Sequence, residues 1–159
     1  MKKIPSFEVN HLLLKEGIYV SRKDDVNGNI ITTFDLRFTI PNEEPVMDTA
    51  GIHAIEHLAA TYLRNDENWK EKIIYFGPMG CRTGFYLVIS GDLYPKDIFG
   101  LISDCMKFII SYEGQIPGAS PKDCGNYLDL NLQFAKCYAK KFYDTVLKNP
   151  DEKRTVYPK

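Results

Sequence analysis

The chain has 159 residues, 20 basic and 21 acidic side chains, a formal charge of −1, and 44% hydrophobic against 26% charged residues. That balance suits one domain, spanning residues 1–159, with its own apolar core, and it leaves no basic footprint for nucleic acid. No apolar run follows Lys2 and Lys3 and no stretch is long enough to cross a bilayer, so the expectation is a cytoplasmic protein with no membrane partner.

In chain order, residues 17–22 and 30–40 read as strands, with Asn27-Gly28 as a turn signal in a connection longer than a minimal hairpin. In the second strand Phe34, Leu36, Phe38 and Ile40 alternate with Thr33, Asp35, Arg37 and Thr39, giving one core face and one polar face. Pro41 to Pro45 breaks the strand. Asp48 or Thr49 then caps a helix to about Asn65, whose core positions include Ile52, Ile55, Ala59 and Leu63. Lys72–Phe76 and Phe85–Ser90 read as two more strands around the glycine-rich loop Gly77–Gly84. Pro95–Tyr112 reads as a helix that buries Cys105. Ser120, Pro121 and Asp123 have the pattern of a capped helix start, which predicts a last helix from there to about Lys148. Its lysines, interleaved with acidic and apolar positions, describe a solvated face, and Cys137 reads as structural. The tail Asn149–Lys159 is expected to fray. The fold class is α+β, an antiparallel sheet with helices packed on it.

The strongest chemical signal lies on the first helix, in His53-Ala54-Ile55-Glu56-His57. Side chains four apart share a helix face, so two of the chain's three histidines can grip one divalent ion. Glu56 projects close to the same point and can move protons without binding the ion. The order H-x-x-E-H also occurs in one class of zinc metalloproteases, so a protease is the rival reading; so is a pair of ordinary surface histidines. A catalytic site needs a third ligand and an open position. Glu113 falls in a loop. Cys124 is the better candidate, because the predicted helix start favours a thiolate, although a structural cysteine is equally consistent with that position. A His-His-Cys set suits Fe²⁺, Zn²⁺ or Co²⁺.

The four cysteines show no C-x-x-C pair, and each is read separately in a reducing compartment. Cys81, between Gly80 and Arg82, has the setting of a thiolate acid-base group, or else of an incidental loop cysteine. Arg37 has the chemistry to receive a substrate carboxylate, although most strand arginines only face solvent. His11 by itself reads as a surface histidine.

Five segments in order resemble the S-ribosylhomocysteine lyase, or LuxS, family. They are Ser6-Phe7-Glu8-Val9-Asn10-His11, Phe34-Asp35-Leu36-Arg37-Phe38, His53-Ala54-Ile55-Glu56-His57-Leu58, Pro78–Tyr86 around Cys81, and Ile116-Pro117 with Cys124-Gly125-Asn126-Tyr127. Ala54, Asn10 and Tyr75 depart from residues common in that family. The resemblance implies cleavage of the thioether of S-ribosylhomocysteine to homocysteine and 4,5-dihydroxy-2,3-pentanedione, the precursor of autoinducer-2. It implies one divalent metal per chain, Fe²⁺ first with Zn²⁺ or Co²⁺ as alternatives, on His53, His57 and Cys124. Cys81 and Glu56 become the acid-base pair, and Arg37, His11 and Ser6 the substrate-binding residues. A homodimer with the metal site at its interface is expected, with Arg37 and His11 of one chain completing a site whose metal and Cys81 belong to the other.

Overall fold

A computed structural model describes residues 7–158. Asn27 and Gly28 take positive φ (54° and 83°), the conformation of a tight hairpin turn, and close β1 (Gly17–Val26) directly onto β2 (Asn29–Arg37). The hairpin is therefore a minimal two-residue one. The sequence reading ended the first strand at residue 22, where apolar alternation fades, but the ladder continues through polar residues, with a bulge between Val20 and Arg22. β3 (Ile73–Pro78) and β4 (Gly84–Ser90) complete a four-stranded antiparallel sheet in the order β1-β2-β4-β3. Gly84 is needed for that pairing, since a Cβ there would lie 2.2 Å from the Leu36 carbonyl oxygen.

One face of the sheet carries the helices α1 (Thr49–Asn65), α2 (Pro95–Ser111) and α3 (Leu132–Phe142). Phe34 and Leu36 of β2 and Phe85, Leu87 and Ile89 of β4 share one core with Ile55 of α1, Ile102 and Met106 of α2 and Phe142 of α3. Cys105 is in that core, and burial pushes its thiol well above the ordinary range. Phe142 stacks on Phe38 at 4.1 Å between ring centroids. The Asp48 carboxylate caps α1 by accepting from the Ala50 and Gly51 N–H groups. None of the helices of the described residues is long and apolar enough to cross a membrane.

Three further expectations are corrected. The last helix begins at Leu132, not Ser120. The Ser120 hydroxyl does bond Asp123, and the N–H groups of Asp123 and Cys124 reach the Ser120 carbonyl, but Gly125 and Asn126 end that single turn. Asn131 caps the helix anew through the Phe134 N–H. The second correction concerns the tail, which is docked: Glu152–Arg154 form a 3₁₀ turn, Arg154 bonds Glu16, and Tyr157 bonds Asp35. The third is that the polar face of β2 is buried at its end, with Asp35 1% and Arg37 4% exposed, because this tail and the 79–83 loop cover it. Cys137 is exposed on α3.

Candidate functional site

α1 presents His53, Glu56 and His57 on one half-buried stripe beside its core stripe, as the spacing predicts. Each histidine is locked by a backbone carbonyl, His53 Nδ1 bonding the Asp129 oxygen at 2.8 Å and His57 Nδ1 the Pro117 oxygen at 2.7 Å. A carbonyl only accepts, so both Nδ1 atoms carry the proton and both Nε2 atoms keep a lone pair for a ligand. Cys124 Sγ lies 3.3 Å from His53 Nε2, and the ligand atoms of His53, His57 and Cys124 all fall within 4.8 Å of one another. Gly118, at φ 72°, permits the close pass of the loop, since a Cβ there would lie 3.2 Å from His57 Nδ1. Two imidazoles with fixed tautomers and one sulfur form a donor set that fits a divalent transition metal with an open position. The sulfur of this set is held by a turn rather than by a helix start; the Asn126 N–H donates to Cys124 Sγ at 3.4 Å. Glu56 hydrogen-bonds no described residue, which leaves its carboxylate free beside the trio.

Cys81 lies elsewhere. Between it and Thr83, Arg82 adopts φ 59°, a conformation costing about 1–3 kcal/mol for a residue with a side chain. Its backbone is fixed by bonds to Met79 and Met47. The kink brings Cys81 Sγ to 3.1 Å from the Thr83 hydroxyl. Arg37 Nη1 donates to Thr83 Oγ1 at 2.6 Å and approaches Cys81 Sγ at 3.8 Å, so the Thr83 proton is free to face the sulfur. Burial alone pushes the Cys81 thiol up, but hydrogen bonds from the Thr83 side chain and backbone and the charge of Arg37 outweigh it and hold the thiol below its ordinary value. Arg37 is itself clamped, Nε at 3.1 Å and Nη2 at 2.6 Å from the two oxygens of Asp35. Its fork is occupied inside the protein by Asp35 and Thr83, and what it presents toward Cys81 is its charge.

Cys81, Arg37, Asp35, His11, Tyr86 and Tyr157 line a cavity of about 370 Å³. His53, Glu56, His57 and Cys124 are not among its lining. Strand alternation explains the separation. Asp35 and Arg37 of β2 and Tyr86 of β4 point away from the helices, whereas α1 packs on the opposite face of the sheet. The expected grouping of Cys81 with the metal residues of its own chain is thus corrected: Cys81 belongs with Arg37 and His11. Ser6 lies outside the described residues. Tyr75 is half exposed on β3 and lines neither this cavity nor a larger one nearby. Sequence reading missed Asp35, Thr83 and Tyr157 as site residues. Asp35 was findable, being two residues from Arg37 on the same face of a strand; Thr83 was not, because it meets Cys81 through the kink at Arg82. Tyr157 gave no signal.

The family model for S-ribosylhomocysteinase (LuxS) matches residues 4–153. Proteins named S-ribosylhomocysteine lyase from Clostridium beijerinckii and Clostridium acetobutylicum are 57% and 56% identical, each over 158 residues and 99% of both chains. One from Porphyromonas gingivalis is 50% identical over the same span. With a match over nearly its whole length and full-length relatives at half identity or better, the chain belongs to the S-ribosylhomocysteinase (LuxS) family.

Proposed function

We propose that this protein cleaves S-ribosylhomocysteine to homocysteine and 4,5-dihydroxy-2,3-pentanedione, the precursor of a quorum-sensing signal, in a cytoplasmic homodimer. The observation that carries the reading is identity of 57% over 99% of both chains with a protein of that name. The convergent His53, His57 and Cys124 and the activated Cys81 agree with it. A thioether leaves readily only when the carbon next to its own can lose a proton beside a carbonyl. The sugar carbonyl must therefore move from C1 to C3 before the thiolate departs from C5. The chemistry asked of the protein is a series of proton transfers.

A divalent ion on His53, His57 and Cys124, Fe²⁺ by preference with Zn²⁺ or Co²⁺ as alternatives, would supply a Lewis acid for carbonyl oxygens. Cys81 then takes and returns carbon-bound protons, a task suited to a thiol held below its ordinary value. Glu56 moves the hydroxyl protons on the side of the metal residues. Arg37 keeps the thiolate charged, and His11 and Ser6 complete the substrate contacts.

The two groups of residues occupy opposite faces of one chain's sheet. Two chains related by a two-fold axis can bring the cavity of one against the metal helix of the other. Phe7, Leu12 and Leu13 are exposed around His11, an apolar rim that a second copy would cover. The metalloprotease reading loses its third ligand, since the ligand cluster is completed by Cys124 and not by Glu113. In the test, purified protein loaded with Fe²⁺ is expected to release a thiol from S-ribosylhomocysteine and to leave casein intact. Cys124→Ala and His57→Ala should lose most of the bound metal. Casein cleavage without thiol release, or full metal occupancy in Cys124→Ala, would overturn the assignment.

A further inference from the structure

The last residues of the chain form a strap that reaches the back of the Cys81 site. It is built in rather than draped. Arg154 Nη1 donates to the Glu16 carbonyl at 2.9 Å and to its carboxylate at 3.1 Å, and the Glu16 side chain is buried. The Arg154 carbonyl oxygen lies 2.3 Å from where a Cβ of Gly17 would stand, so only glycine lets the strap pass there. Beyond that anchor the Tyr157 ring stacks on Tyr19, 4.8 Å between centroids and 12° from parallel. Its hydroxyl donates to Asp35 Oδ2 at 2.8 Å, the oxygen that also receives Arg37 Nη2 at 2.6 Å. Tyr157 also forms the partition between two cavities, the one of about 370 Å³ holding Cys81 and one of about 1000 Å³ lined by Val20, Phe99 and Val156. The family model ends at residue 153, four residues before this tyrosine.

We propose that Tyr157 is a positioning residue for the lyase site: by donating to Asp35 it fixes the Asp35–Arg37 pair in the pose that turns Arg37 Nη1 toward Thr83 and Cys81, and its ring keeps that pair dry. The proposal rests on the reading of Cys81 as the proton-transfer group. The physical argument has a definite sign. A carboxylate that shares its charge with a phenol hydrogen bond cancels less of the Arg37 field at Cys81. Without the hydroxyl, or with water admitted past the ring, that field is weaker and the thiolate is less favoured. Burial and the nearby Asp35 charge raise the Tyr157 phenol far above its ordinary value, so it remains a donor at every pH at which the enzyme works. The other titratable or charged groups around Cys81 are His11 of the N-terminal segment, Tyr86 of β4 and Arg82 beside it in the chain, and none of these touches the strap's hydrogen bond.

The experiment follows alkylation of Cys81 in the metal-loaded full chain, read on its own peptide by mass spectrometry across pH. Tyr157→Phe keeps the ring and removes the hydroxyl. Arg154→Ala releases the strap without altering Asp35, Arg37 or Thr83. Both should move the alkylation midpoint upward, by about half a unit for Tyr157→Phe, or roughly threefold less thiolate below the midpoint. Turnover should fall by a similar factor below that midpoint and recover toward wild type above it, with KM little changed. A purely structural anchor would lower the thermal midpoint and leave the alkylation profile where it was. An unmoved profile in Tyr157→Phe overturns the proposal, and if that variant does not fold, an unmoved profile in Arg154→Ala does so. Failure of the parent reading is seen separately, as undiminished thiol release by Cys81→Ala, because the alkylation midpoint does not depend on turnover.

Discussion

Cys81 takes its reactivity from Thr83 and Arg37, and Glu56 gains its freedom from making no bond to a described residue. Neither side chain is a metal ligand in this arrangement, so Cys81→Ala and Glu56→Gln should retain the metal while turnover falls about 10²–10⁴-fold, the usual cost of one acid-base group. Thiol release and metal content measured on the same samples check this; near wild-type release by Cys81→Ala would remove the thiol from the mechanism. The pH profile follows from the direction of the Cys81 shift. A lowered thiol pKa means the thiolate is already present below the ordinary midpoint of about 8.5 and is lost only as pH falls through the lower value. Thr83→Val removes the first of the lowering contacts and should return the alkylation midpoint toward the ordinary one. At this scale the sequence displayed the convergence of His53, His57 and Cys124 well. The i,i+4 histidines need only a helix to converge. Cys124 was placed beside the histidines for the wrong local reason, because a capped turn and a capped helix share their opening residues and differ only in what Gly125 and Asn126 permit. The clamp of Asp35 on Arg37 was harder to see, since burial of a strand's polar face depends on a tail more than a hundred residues away in sequence.

At the scale of elements, the His53–His57–Cys124 cluster depends on how closely α3 lies against the start of α1. A Cβ on Gly51 would stand 2.7 Å from Tyr138 Cε2 and 2.8 Å from Phe134 Cβ. The Tyr138 hydroxyl accepts the Asp48 N–H at 2.8 Å, so the same aromatic ring also braces the residue that caps α1. Gly51→Ala adds a good helix former, which alone would stabilise by about 1 kcal/mol. The clash is the larger effect, with overpacking of this kind costing about 1–3 kcal/mol and pushing α3 outward. The expected outcome is a lower thermal unfolding midpoint and weaker metal retention, because Asn131 and Asp129, which precede α3, lead into the loop that fixes His53. An unchanged or raised midpoint would show that the helices can part freely. The helices and strands were largely legible because each carries its own period. The register of β1 beyond residue 22 and the late start of α3 were not, since both are decided by pairing and packing partners rather than by local pattern.

For the whole molecule, the separation of Cys81 and the metal residues onto opposite faces of one sheet leads to a prediction about mixtures of subunits. If each working site joins the metal helix of one chain to the Cys81–Arg37 cavity of its partner, then His57→Ala and Cys81→Ala homodimers are both inactive. Exchange makes about half of the dimers mixed, and in each of these one site collects both lesions while the other is intact, so roughly a quarter of wild-type activity should return. Arg37→Ala mixed with Cys81→Ala should restore nothing, since both residues serve the cavity of a single chain and every site in the mixed dimer keeps one lesion. The pair of mixtures separates the models. A site built within one chain predicts no recovery in either, and a site with Cys81 beside the metal of its own chain predicts recovery in the second and not the first. Subunit exchange is confirmed independently with differently tagged chains. Recovery confined to the His57→Ala and Cys81→Ala mixture is the outcome expected from the direction in which alternate residues of β2 and β4 point, and silence in that mixture after demonstrated exchange would overturn the shared site.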